Sequence, residues 1–204
     1  MCYINSTLDL SMYGWIGDSI DCLQLVMFCD ADLAGDRNDA KSTTGTFMCL
    51  VGPRSFYPLS AMSKKQTSIA LSTPEAEIVS ATTGVSKEGI PALHLWEKLL
   101  GRESMALVLM EDNETAIRIM ESGKNQTMKH MSRTQRMSTG WLHERIVEKD
   151  LAVAYCKSKD QAADILTKCC TNKLTWMANL KLIAHFRDHE IHVLQKRSPG
   201  VPAA

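Results

Sequence analysis

The chain has 204 residues, 45% of them hydrophobic and 23% charged, which suits one buried core and is short for two typical domains. Twenty-three Lys and Arg balance twenty-three Asp and Glu, giving formal charge +0. That excludes a strongly basic nucleic-acid-coating protein and an acidic disordered tail, but not a nucleic-acid enzyme with a local charge pattern.

The seven cysteines contain no C-x-x-C, which argues against a zinc knuckle, a thioredoxin-like motif or a regular disulfide framework. No secretory signal is evident, and no apolar stretch approaches the ~20 residues of a spanning helix. The sequence therefore reads as an intracellular protein, cytoplasmic or nuclear, with no membrane partner.

Residues 1–22 carry no clear period, broken by Gly14, Gly17 and Asp18, and read as the trimmed end of something longer. Gln24 to Cys29 has the length and composition of a buried strand and runs into Asp30 and Asp32. A polar loop to Ser42 leads to a second strand, Thr44 to Val51, and Gly52-Pro53 turns into a third, Ser55 to Ala61, where Pro58 marks an edge or an irregularity. Ser72-Thr73-Pro74-Glu75 is a helix start, with a capping serine, a proline in the first turn and Glu three residues on. That helix runs to about Ser86, where Gly84, Gly89 and Pro91 are expected to break or kink it before a second piece, Ala92 to Leu100.

A strand follows at Met105 to Met110, and a helix at Asn113 to Glu121, stopped by Gly123. After a basic loop come a helix from about Arg133 to Val147, a fifth strand at Leu151 to Cys156 and a short helix at Gln161 to Lys168. Leu174 to Leu194 reads as a long amphipathic helix before a loose S-P-G-V-P-A-A tail. The fourth and fifth strands each follow a helix, so right-handed crossovers place them parallel to the first. The expected fold is α/β: a mixed five-stranded sheet, three antiparallel strands then two parallel, flanked by helices.

Four carboxylates fall where such a sheet builds a crevice. Asp30 ends the first strand, Glu77 is one turn into the first strong helix, Asp112 follows the fourth strand and Asp164 opens the short helix after the fifth. Gathered in one place they repel one another unless a hard, oxygen-loving cation neutralises them. A pair of Mg²⁺ ions ~3.5–4 Å apart meets that need and supports phosphodiester hydrolysis. Against this stands the ordinary use of Asp as a turn or cap residue. Asp32, two residues from Asp30, shares its face and stays a rival. Spacing does not choose between Glu75 and Glu77, although Glu75 suits capping and leaves Glu77 free.

The wording of these stretches carries a resemblance. F-C-D-A-D-L-A-G-D-R-N-D-A-K-S-T-T-G at 28–45 resembles the opening of the ribonuclease H domain in Copia-type (Ty1/copia) retrotransposon Pol polyproteins. S-K-K-Q-T-S-I-A-L-S-T-P-E-A-E at 63–77, E-D-N-E-T-A-I at 111–117 and A-D-I-L-T-K at 163–168 follow in the family's order, and Ser132-Arg133-Thr134 matches a weaker block. The resemblance spans about residues 24–170. It implies an enzyme that uses two Mg²⁺ ions, with Mn²⁺ as a substitute, to cut the RNA strand of an RNA–DNA hybrid beside a reverse transcriptase domain.

Block by block, the resemblance places the metal-binding and catalytic carboxylates on Asp30, Glu77, Asp112 and Asp164. The resemblance implies that Asp30 and Asp112 would hold metal, Asp30 for both ions, that Glu77 would position the scissile phosphate and the 2′-OH by which RNA is selected, and that Asp164 would hold the second ion. It implies phosphate contacts from Ser42, Thr43 and Thr44, and a sugar contact or a helix cap from Asn113. It divides the chain into an N-terminal remnant (1–22), an RNase H-like domain (23–170), a C-terminal helical extension (171–197) and a tail (198–204). The chain departs from the family at Leu33 and Ala61, where Trp is usual, and at Gln135-Arg136, where Lys-His is common. No departure removes a metal ligand. A relic that binds nucleic acid without cutting it, or an interaction domain, is the alternative.

Outside these blocks, Lys64 and Lys65, with Lys124, Lys129, His130, Arg133 and Arg136, are candidate phosphate contacts or simply solvated loop charges. His185 and His189 have i,i+4 spacing on the expected C-terminal helix but lack the Glu of H-E-x-x-H. That helix, with Trp176, Leu180, Ile183 and Ile191, is expected to pack on the domain or on a missing neighbour.

Overall fold

The computed structural model describes residues 5, 7–36, 38–101, 105–124, 128–135 and 137–190. Its strands are β1 (Ser11–Met12), β2 (Gln24–Asp32), β3 (Thr43–Gly52), β4 (Ser55–Lys65), β5 (Leu107–Glu111), β6 (Leu151–Tyr155) and β7 (His185–Phe186). Its α-helices are α1 (Thr73–Gly84), α2 (Ile90–Leu100), α3 (Glu114–Ser122), α4 (Met131–Thr134), α5 (Thr139–Val147), α6 (Asp164–Thr167) and α7 (Lys173–Leu182).

Strand β2 is central because its side chains are apolar on both faces. Leu25, Met27 and Cys29 point to one side, and Val26 and Phe28 to the other. The sheet order is β4-β3-β2-β5-β6, with β2–β3 and β3–β4 antiparallel and β2–β5 and β5–β6 parallel. This is the expected mixed sheet of an RNase H-like α/β fold. Pro58 sits on the edge strand β4, where a missing N–H costs no ladder bond, and the register slips between Met48 and Cys49.

Two cores sandwich the sheet. On one face Leu25, Met27, Leu107 and Leu109 meet Ile78 of α1, Ile119 and Met120 of α3 and Leu142 of α5. On the other, Val26, Phe28, Phe47, Cys49 and Val51 meet Ala162, Ala163, Ala184 and Phe186.

Three expectations are corrected. The glycines after α1 do not break it: the helix passes through a π turn, Val85–Gly89, straight into α2. Gly84 and Gly89 are there for closeness to the sheet, since a Cβ at Gly84 would lie 2.7 Å from Thr46 Cγ2 and one at Gly89 2.5 Å from Leu107 Cδ2. The helix expected from Arg133 to Val147 is two, α4 and α5. The long C-terminal helix ends at Leu182. Ala184 turns to φ +59°, and His185–Phe186 pairs antiparallel with Ser11–Met12. His185 and His189 thus lie on a strand and a 3-10 turn, not on one helical face.

The N-terminal stretch, read from sequence as patternless, is stitched to the sheet. Trp15 bridges Phe56, their rings 5.6 Å apart, and the Asp18 carboxylate accepts hydrogen bonds from Arg54 N and Ser55 Oγ. The S-P-G-V-P-A-A tail, Ile191 and Arg136 lie outside the described residues.

Candidate active site

The site forms where β2 and β5 end side by side against the start of α1. The tip of β2 is braced by hydrogen bonds from Ser80 Oγ to the Asp30 carbonyl (2.8 Å) and from Gln161 Nε2 to the Cys29 carbonyl (2.9 Å). Asp30 is 1% exposed. Its Oδ1 accepts from Lys168 Nζ at 2.9 Å and its Oδ2 from Thr167 Oγ1.

Helix α1 starts as its sequence dictates, with Ser72 as the cap, its Oγ accepting from Glu75 N at 3.4 Å. The Glu75 carboxylate is consumed by three donors: Leu71 N at 3.0 Å, His130 Nε2 at 3.1 Å and Gln135 Nε2 at 3.3 Å. Glu77, two residues on and 3% exposed, keeps a buried Oε2 with no partner among the described residues. Hydrogen bonding thus separates the two that spacing left level: Glu75 is spent on the start of α1, and Glu77 is not.

One ligand oxygen each from Asp30, Glu77 and Asp112 lies within 4.8 Å of the other two. Asp164 stands outside this set and joins it through Lys168, whose Nζ is 2.7 Å from Asp164 Oδ1. Helix α6 reaches the tip of β2 because β3 offers Gly45 there, where a Cβ would lie 2.5 Å from Thr167 Cγ2 and 3.0 Å from the Ala163 carbonyl oxygen. The cleft is lined by Asp30, Asp32, Leu33, Glu77, Asp112 and Lys168, among others, so Asp32 borders it without joining the three-carboxylate cluster.

The electrostatics are those of carboxyls crowded together away from water. Burial, then the charges of Glu111, Asp30 and Asp112, push the Glu77 carboxyl up to about 10. Burial raises Glu111 to about 8 against the hydrogen bond from Asn113 N, and raises Asp164 to about 6 against that from Lys168. Lys168 is raised despite its burial, by its hydrogen bond to Asp164 and the charge of Asp30. An all-oxygen donor set with orphaned buried oxygens on Glu77 and Glu111 suits a hard divalent ion. The cluster can therefore coordinate one or more such ions.

Two of these residues carried no role in the sequence reading. Glu111 follows Leu107 and Leu109 onto the buried face of β5, a period-2 signal visible in L-V-L-M-E. Lys168 is i,i+4 from Asp164, the spacing of a helical ion pair.

Among the candidate nucleic-acid contacts, Ser42 is 0% exposed and its Oγ accepts from Ala34 N, so it is a strut of the β2–β3 loop rather than a phosphate ligand. Thr44 is buried too, its hydroxyl accepting from Gln66 Nε2. Thr43 is half-buried. Lys65 is engaged by Asp36 and, at 2.9 Å, by Asp39, while Lys64, Lys129 and Arg133 are exposed. Asn113 lines the cleft, and its Oδ1 caps α3 through Thr115 N and Ala116 N. No helix among the described residues is long and apolar enough to cross a membrane.

No family model matches the chain. It is 34% identical over 143 residues, 69% of its length, to the retrovirus-related Pol polyprotein from transposon TNT 1-94 of Nicotiana tabacum. It is 31% identical over 147 residues, 72% of its length, to that from transposon RE1 of Arabidopsis thaliana. These stretches are 10% and 9% of the two relatives, so the chain spans about a tenth of their length. Among solved structures, LC11-RNase H1, isolated from compost by a metagenomic approach, aligns over 71% of this chain and 92% of its own, with 14% identity and a TM-score of 0.46. With a score that low, the fold assignment rests on the sheet order above. The chain is a domain with an RNase H-like fold, related to retrotransposon Pol polyproteins.

Proposed function

We propose that this chain is the ribonuclease H domain of a Copia-type retrotransposon Pol polyprotein, a C-terminal piece of a longer chain, and that it cuts the RNA strand of RNA–DNA hybrids during reverse transcription. The observation that carries this reading is the convergence of Asp30 and Asp112, at the ends of β2 and β5, with Glu77 of α1, a buried oxygen of Glu77 having no partner among the described residues. Two Mg²⁺ ions, or Mn²⁺ in their place, would be held by Asp30, Glu77, Asp112 and Asp164; such a pair activates water and stabilises the leaving oxygen of a phosphodiester.

The protein's own groups supply the rest. Asp30, fixed by its braced backbone, sets the position from which the other ligands are measured. Glu77, on the rigid first turns of α1, faces the cleft and selects the 2′-OH-bearing strand. In this reading Asn113, which lines the cleft, and Thr43, Lys64, Lys65, Lys129 and Arg133 meet the hybrid's phosphates and sugars, with Lys65 exchanging its carboxylate partners for phosphate. The partners in this reading are an RNA–DNA hybrid and the reverse transcriptase domain of the same polyprotein, with residues 23–170 as the catalytic domain.

The test is cleavage of a labelled hybrid with Mg²⁺, beside RNA-duplex and DNA-duplex controls. The hybrid alone is cut, and only with metal. Hybrid binding without cleavage would instead identify a nucleic-acid-binding relic.

A further inference from the structure

We propose that Lys168 is a tethered cation that holds the Asp30–Asp164 side of the site and competes there with a divalent ion. This makes it a positioning residue that sets the order in which ions bind. The inference rests on the metal-dependent reading above and adds to it a role for a lysine that ligates nothing.

The geometry is specific. Lys168 Nζ lies 2.9 Å from Asp30 Oδ1 and 2.7 Å from Asp164 Oδ1, so one ammonium spans two carboxylates meant for metal. Thr167 Oγ1 takes the other oxygen of Asp30. The two oxygens of Asp30 are therefore both engaged by donors from the end of α6 and the residue after it. By contrast, Glu77 presents a bare, buried oxygen. The site is thus asymmetric: open on the Glu77–Asp112 side and already neutralised on the Asp164 side.

An ammonium and a divalent ion cannot share one pair of carboxylate oxygens at these distances, because both are cations and the space between the oxygens admits one. Glu77 and Asp112, with no lysine or arginine paired to them among the described residues, would hold a first ion, and a second at Asp30 and Asp164 would have to displace Lys168. Its side chain is 43% exposed and has a long flexible stem, so it can swing into the cleft mouth without disturbing the core. Lys168 lines the cleft, and there a phosphate can take the place of the carboxylates as its partner.

Mn²⁺ binding to the full chain, followed by electron paramagnetic resonance and calorimetry, tests this with Lys168→Gln, Lys168→Arg and Asp112→Asn. Wild type binds one ion tightly and a second weakly. Lys168→Gln tightens the second at least about tenfold, as removing a competing unit charge a few ångströms away requires, and changes the first by less. Lys168→Arg, which keeps the charge, behaves as wild type, and Asp112→Asn loses the tight ion.

Without metal, Lys168→Gln melts below wild type, and Mn²⁺ removes most of that deficit. A second affinity in Lys168→Gln within about twofold of wild type overturns the proposal. So does a melting deficit that Mn²⁺ leaves unchanged, which marks a purely structural lysine. If wild type binds no Mn²⁺ at all, the metal reading of the whole site fails, and this inference with it.

Discussion

Two glutamates two residues apart on α1 have opposite surroundings, and the difference is countable in hydrogen bonds. Glu75 has three donors and ties the start of α1 to His130 and Gln135, on the segment around α4. Glu77 has an oxygen with none, inside a cluster of like charges. The folded, metal-free protein therefore holds the Glu77 proton up to about pH 10, whereas an unfolded chain releases it near its ordinary 4.5. A carboxyl raised in the folded state contributes stability that is fully present below 4.5 and is lost as pH climbs toward 10; Glu111, raised to about 8, acts in the same direction.

Metal-free protein should therefore melt lower at pH 9 than at pH 6, and stabilisation by Mg²⁺ should grow over that range. Glu77→Gln should flatten the alkaline decline and abolish the Mg²⁺ response. Glu75→Gln should cost about 1–3 kcal/mol, by weakening a buried hydrogen-bonded charge, while leaving the Mg²⁺ response in place. Melting temperatures with and without Mg²⁺ decide it, and a Mg²⁺ response that survives in Glu77→Gln contradicts the assignment.

At the scale of elements, what was legible in the sequence was what depends on near neighbours. The Ser72 cap, the apolar run of β2 and the Gly123 stop of α3 all stand as read. What was not legible depends on distant partners. Gly84 and Gly89 look like helix breakers in sequence, yet they serve contacts with Thr46 and Leu107 on the sheet. The apolar spacing after Leu174 suggests one long helix, but the pairing that ends it lies with Ser11 and Met12, at the other end of the chain. Three of the four site carboxylates converge as expected, while the lysine beside them went unassigned because only the fold brings Lys168 to Asp30.

Gly45 is the element-scale hinge of the site, since its bare backbone is where α6 rests. Gly45→Ala should push α6 outward and carry Asp164 and Lys168 away from Asp30. Hybrid cleavage should fall by about 100-fold, the cost of misplacing a reacting group by roughly an ångström, with far-ultraviolet circular dichroism unchanged. Wild-type cleavage by Gly45→Ala would show that α6 does not set the site.

For the whole molecule, zero net charge is an average. An acidic cleft is offset by exposed bases such as Lys64, Lys129 and Arg133, and by lysines already paired, as Lys65 is with Asp36 and Asp39. Two cores sandwich the sheet, and residues 9–15 meet β4 and the segment after α7 beside the second of them: β1 on β7, Trp15 on Phe56, Arg187 on Asp9. Removing residues 1–22 should therefore destabilise the domain. The expected loss is about 1 kcal/mol or more, or about 2–4 °C in Tm for a chain of this size. An unchanged Tm would restore the view of that stretch as a detachable remnant.

The central claim is that this fold gathers its carboxylates to cut RNA in a hybrid, and one comparison tests it most directly: Mg²⁺-dependent cleavage of a labelled RNA–DNA hybrid by wild type and by Asp112→Asn. The account predicts cleavage of the RNA strand by wild type and a loss of at least about 100-fold in the variant, the upper range for losing even an outer partner of a metal site. Equal cleavage by the two proteins, or none by wild type at any Mg²⁺ or Mn²⁺ concentration, would contradict it.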